Sequence, residues 1–449
     1  MFERLGSIGF LLVLCLLSFV AGVFLALTET PPYHFFRDAH RAGIALIEQR
    51  KTRGDVSRSD LWRIARSTER GTTILKEGGV HYGYTLYTSG EGAQARLIAM
   101  DGGLLHEWSL PYSHIWDKEA SSVQRPQPDE LIFMRKAWLY PNGDLLAIYE
   151  AAGDTPYGYG MVKMDRHSRP IWSYLENTHH DFDIAPDGSI IALTHSFVWE
   201  GPAALDHLDR PYLDDFVVVL SPAGEELVRV SLVEALEASA FKAFIYAIPH
   251  FGRSDPLHTN SVRYVTEEQA ALLPFAQEGQ ILVSFRDLGV VALLDIDLQE
   301  IVWAMRGPWM GQHHPSIVEQ GDILLFDNLG GFRQGNSSRV LQFNPETLEI
   351  VWQYVGSDER PFDSALRAEA VRLANGNTLI TESDGGRLFE VTKEGEIVWE
   401  YYDPSRLEQQ GQVYIPIVAW GQRIDPDSLD DDFRALFEGE RQLEAASLE

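Results

Sequence analysis

The sequence predicts an all-β fold, a six-bladed β-propeller with an N-terminal transmembrane helix and a short helical stalk. Three observations lead there: a strand pattern recurring six times, glycine turns at matched places in it, and one long apolar run near the start. A period of roughly 40 to 50 residues with four short strands per unit is how a propeller blade reads in sequence.

The apolar run comes first. In "SIGFLLVLCLLSFVAGVFLALTE" the stretch Ile8–Leu27 carries no charge. Roughly twenty such residues cross a bilayer as a helix. The run exceeds a usual signal core and no Ala-x-Ala site follows, so residues 1–27 are expected to be a retained anchor. Cys15 lies inside it, which leaves the rest of the chain without cysteine and without disulfides. Arg4 precedes the span while Arg37 and Arg41 follow it, so the positive-inside rule alone favours a cytoplasmic C-terminal domain. Residues 28–75 read as a helical stalk, from the mixed charge on apolar helical spacing in "FFRDAHRAGIALIEQRK".

Residues 76–424 hold the repeat. Its last strands read "LLHEWSL", "RPIWSYL", "EELVRVSL", "QEIVWAM", "LEIVWQYV" and "GEIVWEYY", five of the six with Trp. The hairpins that open the units include "AWLYPNGDLLAIYE", "FDIAPDGSIIALTHS" and "VRLANGNTLITES", whose Asn-Gly and Asp-Gly pairs supply the positive φ of tight turns. The first unit, "YTLYTSGEGAQARLIAMDGGLLHEWSL", has only three strands. The late strand "QVYIPIVAW" (Gln412 to Trp420) is expected to supply its missing innermost strand and close the ring. The acidic tail, residues 425–449, is expected to be solvated; it and the stalk are the places where a protein partner could bind. A net charge of −29 excludes a general nucleic-acid binder.

Histidines fall in register on this frame. His180, His258 and His313 each precede an apolar residue (Ile184, Val262, Ile317) by four positions, and the same offset selects Arg135 and Arg367. If the opening strand of each hairpin is innermost, these side chains stand at the mouth of the channel. The antiparallel second strands bring His195, Arg286 and Asn328 to the same rim. Of the adjacent histidines, His179 and His314 face away or support the ring, because neighbouring strand residues point oppositely. Imidazoles and a guanidinium together suit a small oxyanion, and crowding of cations keeps at least one imidazole neutral and nucleophilic. No Gly-x-x-x-x-Gly-Lys-Ser/Thr loop is present, so no nucleotide cofactor is expected.

"THHDFDIAPDGSIIAL", "HTNSVRYV" with "ILVSFRD", "QHHPSIVEQGDILLFDN" with "SSRVLQFNP", and "VRLANGNTLITESDGGRLFEVTKEGEIVWEY" resemble the arylsulfate sulfotransferase family. The resemblance spans roughly residues 76 to 424. It implies a six-bladed propeller in the bacterial periplasm that passes a sulfuryl group from a phenolic sulfate ester to a phenol through a sulfohistidine, without phosphosulfate or other cofactor. By motif it implies His313 as nucleophile, His180 and His258 as acid, base or oxyanion donors, and Arg286 as sulfate clamp. Arg135, His195, Asn328 and Arg367, with His179 and His314, make up the expected substrate-binding set. The implied compartment is extracytoplasmic, against the charge rule. The chain departs from the pattern in the insertion "TEEQAALLPFAQEG", in His314-Pro315 after the nucleophile, and in its anchor and stalk. Two other readings stay open: a non-catalytic, membrane-tethered propeller that binds or assembles partners, and a zinc site built from three histidines.

Overall fold

The structure, a computed structural model, describes residues 2–28, 59–201, 203–249, 252–332 and 336–437. The chain divides into two units, Met1–Ser59 and Asp60–Glu449. The first contains helix α1 (Phe2–Thr28), along which Phe10, Leu14, Leu17 and Phe24 are exposed. Among the described residues no helix is long and apolar enough to cross a membrane. The expected anchor therefore rests on the sequence. Most of the expected stalk, residues 29 to 58, lies outside the described residues, as does the tail beyond residue 437.

The second unit is all-β and propeller-like. Apolar, β-branched runs separated by glycine turns form antiparallel sheets, six of which have four or more strands. Sheet I places Val418–Ile424 beside Tyr84–Ser89, Gln94–Ile98 and Leu104–Ser109. Sheet II runs from Ile132–Leu139 to Pro170–Tyr174 and sheet III from Thr178–Ile184 to Glu226–Ser231. Sheet IV runs from Thr259–Tyr264 to Glu300–Arg306 and sheet V from His313–Ile317 to Ile350–Val355. Sheet VI runs from Glu369–Arg372 to Ile397–Tyr402. Neighbouring sheets touch through their leading hairpins in the order I, II, III, IV, V, VI and back to I. Their faces interleave into cores, as Ile191, Leu193 and Val217 of sheet III do with Val262, Val283 and Ala292 of sheet IV.

The recurrent Trp has a physical reason. Trp108 donates its indole N–H to Gly143 O at 3.0 Å, Trp352 to Lys393 O at 2.7 Å and Trp399 to Met100 O at 2.8 Å. Each fixes a late strand to a turn of the adjoining sheet and satisfies its one donor, with Trp108 and Trp399 fully buried and Trp352 half-buried. Gly143 accepts this neighbour because its φ is +87° and Phe433 stands where a Cβ would be.

Three expectations about the ends need correction. The late strand does not run unbroken from Gln412 to Trp420. Gln412–Pro416 pairs with Trp62–Ile64 and Leu407–Gln409 in a separate small sheet, and only Val418–Ile424 completes sheet I. The break falls where Pro416 has no amide hydrogen to give, and the buried Ile417 bonds Leu61 O and Gly90 N at 2.9 and 2.8 Å. Second, the close of the expected stalk is strand: Gly71–Leu75 joins sheet VI as a fifth strand beside Ile397–Tyr402. Its β-branched Thr72, Thr73 and Ile74 cover an edge that would otherwise stay open. Third, the tail is not solvated as far as residue 437. Leu429, Phe433 and Phe437, spaced by four, are buried against Trp108, Tyr84 and their neighbours.

Where sheets VI and I meet, Arg423 and Glu390 form a pair at 2.9 Å with side chains 1% and 0% exposed. Glu390 also accepts from His81 N at 2.6 Å and from Asn377 at 2.7 Å, so its charge is well satisfied.

Candidate active site

The leading strands are irregular at one common level. Their registers shift between Met134 and Lys136, His179 and Phe182, Thr259 and Ser261, His313 and Ser316, and Val418 and Trp420. Such bulges re-aim side chains at a strand's end. His180, His258, His314 and Arg367 adopt φ of 53°, 47°, 54° and 59°, a left-handed backbone that residues with side chains rarely hold away from functional places. Alternation along a regular strand could not have predicted these orientations.

His313 is buried and held by its Nδ1, 2.8 Å from Asn328 Oδ1 and 2.9 Å from Gly311 O. Both partners are acceptors, so Nδ1 carries the hydrogen and Nε2 keeps its lone pair, with no hydrogen-bond partner among the described residues. Asn328 is oriented in turn by donating to Ser364 O and Arg367 O, each at 2.8 Å. Burial, with Arg286 alongside, pushes the His313 imidazole well below its usual range. Near neutral pH it is an uncharged base.

His180 lies across from it. Burial, then His179, His258, Arg135 and His313, holds it well below the usual range. Its Nδ1 is 2.8 Å from His179 Nδ1 and 3.4 Å from the Tyr157 hydroxyl. The His180 and His258 rings are 5.3 Å apart. His258 differs in charge: burial opposes it, but the Asp255 carboxylate, 2.6 Å from its Nδ1, raises it above the ordinary value. Arg286 follows His258 closely in space, its backbone N 3.4 Å from His258 O, while Nη1 bonds Asp287 at 2.8 Å. The insertion that lengthens this hairpin sits at its far turn, where Thr266 caps Glu267–Ala270, and leaves the Thr259–Phe285 pairing intact.

The structure thus brings His180, His258, His313, Arg286 and Asn328 together. Arg135 joins from the side, donating to Ala419 O at 2.5 Å beside Glu150 at 3.9 Å. Arg367 stands further out, over the Phe133 ring at 5.6 Å. His195 and His179 lie behind the group, their rings stacked at 4.2 Å. His314 belongs to a different, buried charge layer: it bonds Arg263 and pairs with Glu369 at 3.2 Å, while Asp181 holds Lys136 at 2.7 Å and Arg263 at 2.8 Å. That layer ties successive sheets to one another and does not face His313.

Sequence reasoning missed Tyr157, Asp255 and Asp215. Tyr157 packs on four imidazoles, its ring centroid 4.7 Å from His195, 5.3 Å from His180, 5.5 Å from His179 and 6.1 Å from His258. It comes from the loop "DTPYGYG", where only an aromatic flanked by Pro and Gly hints at a special position. Asp255, three residues before His258, was legible as an Asp-x-x-His turn.

His179, His195 and Asp215 offer ligand atoms within 4.8 Å of one another. They suit a resident metal poorly. The two rings are only 17° from parallel, so their lone pairs run side by side instead of converging, and Gly158 N–H points at His195 Nε2 from 3.3 Å. That contact puts the His195 hydrogen on Nδ1.

Sheets joined through their leading hairpins, with neutral and cationic imidazoles and a guanidinium gathered at one end, define an all-β propeller-like protein with a histidine-rich, anion-suited site. The sequence model of the arylsulfotransferase (ASST) family matches residues 136–403, more than half of the chain, and the protein belongs to that family. No curated protein matches it. Among solved structures it is similar to a Bacteroides caccae protein of unknown function, at 15% identity over 75% of this chain and 99% of that one, TM-score 0.47. It is also similar to the WD40 β-propeller domain of Doa1, at 10% identity over 82% and 99%, TM-score 0.41. BamB from Moraxella catarrhalis aligns at 9% identity over 79% and 97%, TM-score 0.35.

Proposed function

We propose that the protein is an aryl-sulfate sulfotransferase, a six-bladed propeller that passes a sulfuryl group from a phenolic sulfate ester to a phenol through a sulfohistidine on His313. One observation carries the reading: His313 has its Nδ1 hydrogen fixed by Asn328 and Gly311, so that Nε2 is bare and neutral beside Arg286, His258 and His180. Nε2 attacks sulfur as the bond to the aryl oxygen breaks. His258, kept cationic by Asp255, and Arg286 hold the sulfuryl oxygens where charge spreads in the transition state. His180 serves the aryl oxygen as acid and later as base. Arg135 and Arg367 favour anions at the approach. The second phenol then takes the sulfuryl group from His313.

The anchor and compartment belong to the same proposal. The anchor rests on the sequence, on the uncharged, mostly apolar run Ile8–Leu27. With family membership this supports a membrane-tethered enzyme whose sheets lie outside the cytoplasm.

The deciding experiment incubates purified protein with an aryl sulfate and a phenol acceptor, wild type beside His313→Ala. The wild type should release phenol, sulfate the acceptor and, without acceptor, hold one sulfuryl group on the peptide containing His313. The variant should do none of these. Equal release from both would overturn the proposal.

A further inference from the structure

Behind His180 three buried groups stand in a line that the transfer scheme has not used. His180 Nδ1 faces His179 Nδ1 at 2.8 Å, and His179 Nε2 faces Asp215 Oδ1 at 3.4 Å. Two nitrogens at 2.8 Å share one hydrogen, so the tautomer of one ring dictates that of the other. At the inner end, His179 Nε2 and Asp215 Oδ1 are both buried without a well-aligned hydrogen-bond partner among the described residues, although the Thr194 backbone lies by the His179 ring and Asp215 Oδ2 accepts from Thr259 N at 2.6 Å. Polar atoms left so in a dry interior are costly unless a hydrogen passes between them. Tyr157, packed on the rings of His179, His180 and His195, shields this line.

We propose that Asp215 is a proton store which reaches the aryl oxygen through His179 and His180, giving up its proton as the first phenol leaves and recovering it from the second. This deepens the sulfuryl-transfer reading and rests on it. At rest Asp215 Oδ1 is protonated, His179 carries hydrogen on Nδ1 and His180 on Nε2. When His313 Nε2 bonds sulfur, the S–O electron pair leaves with the aryl oxygen, which takes the hydrogen of His180 Nε2. The His179 Nδ1 hydrogen moves to His180 Nδ1, and the Asp215 hydrogen to His179 Nε2. The line now ends in a carboxylate, and His180 Nε2 holds a lone pair. In the second half the acceptor phenol gives its hydrogen to that nitrogen, its oxygen attacks sulfur, and the S–N pair returns to His313. Each hydrogen then retraces its step.

The surroundings suit a stored proton. Burial, and then Asp255, pushes the Asp215 carboxyl well above the usual carboxylate range, with His258 pulling the other way. Burial holds His179 at about 3, so that it carries hydrogens without becoming a stable cation. The charged groups facing the outer end are His258, its ring 5.3 Å from that of His180, Arg135, and Glu150, 3.9 Å from His180 Nδ1.

The test uses the full chain and two donors, phenyl sulfate and 4-nitrophenyl sulfate, whose leaving phenolates differ in their need for a proton. Phenol release in the absence of acceptor reads the first half-reaction alone. For Asp215→Asn and His179→Gln, the rate ratio of phenyl to 4-nitrophenyl sulfate should fall about 100-fold below the wild-type ratio, the range of one lost general acid. The wild type on phenyl sulfate should give a curved proton inventory in mixed H2O and D2O, because more than one hydrogen is in flight; this holds even if a variant fails to fold. An unchanged donor ratio in a folded variant, or a straight inventory, would overturn the relay and leave sulfuryl transfer standing. Release from neither donor by the wild type would overturn both.

Discussion

Replacing Asn328 by Ala tests the carrying observation without touching the nucleophile. The side chain is fully buried and makes three contacts at 2.8 Å: it accepts from His313 Nδ1 and donates to Ser364 O and Arg367 O. One neutral hydrogen bond contributes about 0.5–1.5 kcal/mol net. Gly311 O remains as an acceptor for Nδ1, 2.9 Å away, so the correct tautomer is weakened and not lost. At about 1.4 kcal/mol per factor of ten, this lowers kcat roughly 3- to 10-fold. KM for the donor should change little, since Asn328 does not face the sulfuryl oxygens. Arg367 O loses its partner while Ser364 O keeps the Ser338 hydroxyl at 3.2 Å, so one orphaned carbonyl should cost a further ~1–3 kcal/mol of folding stability. The assay is steady-state transfer from an aryl sulfate, with urea unfolding of the same preparations. An unchanged kcat in a measurably destabilised variant would refute the claim that Asn328 sets the tautomer of His313.

Asp255→Asn should act through pH. His258 has its folded value raised above the ordinary 6.5, so its charge-linked stability is fully present below 6.5 and fades as pH rises through the folded value. Without Asp255, burial and Arg286 lower His258, so the variant should lag the wild type several-fold in kcat/KM at neutral and alkaline pH, and the gap should narrow as pH falls. Removing one partner of the buried Arg423–Glu390 pair, as Glu390→Ala, should cost about 3–5 kcal/mol in urea unfolding, because it leaves a guanidinium charge uncompensated. Phe433→Ala should cost about 3–5 kcal/mol by the same assay, since its ring packs against His106 at 5.3 Å and Trp108 at 5.9 Å. An effect below 1 kcal/mol there would mean the tail adds little to sheet I.

What could be read from the chain alone was what local sequence determines. Asn142-Gly143 and Asp187-Gly188 mark hairpins, and a Trp in five of the six last strands marks the unit; Trp108, Trp352 and Trp399 dock on an adjoining turn. His180, His258 and His313 were found by register, since equivalent places in equivalent hairpins share an end of the sheet. Their bulges were not legible, and His314 consequently turns toward Arg263 and Glu369. Tyr157 and Asp215 were missed because their importance comes from contacts across sheets, with nothing local to announce it. The same holds for Gly71–Leu75, whose pairing partner Ile397–Tyr402 lies more than three hundred positions away. Pro416 was the visible signal that the late strand breaks.

The strand that completes sheet I follows every other described strand, and Arg423 meets Thr85 across 338 positions of chain. A ribosome must therefore emit more than three hundred further residues before Tyr84–Ser89 gains its second neighbour. Until then the nascent protein displays a bare ladder of amides and carbonyls, the kind of template on which chains stick to each other. Removing Val418–Ile424 would leave that ladder open for good.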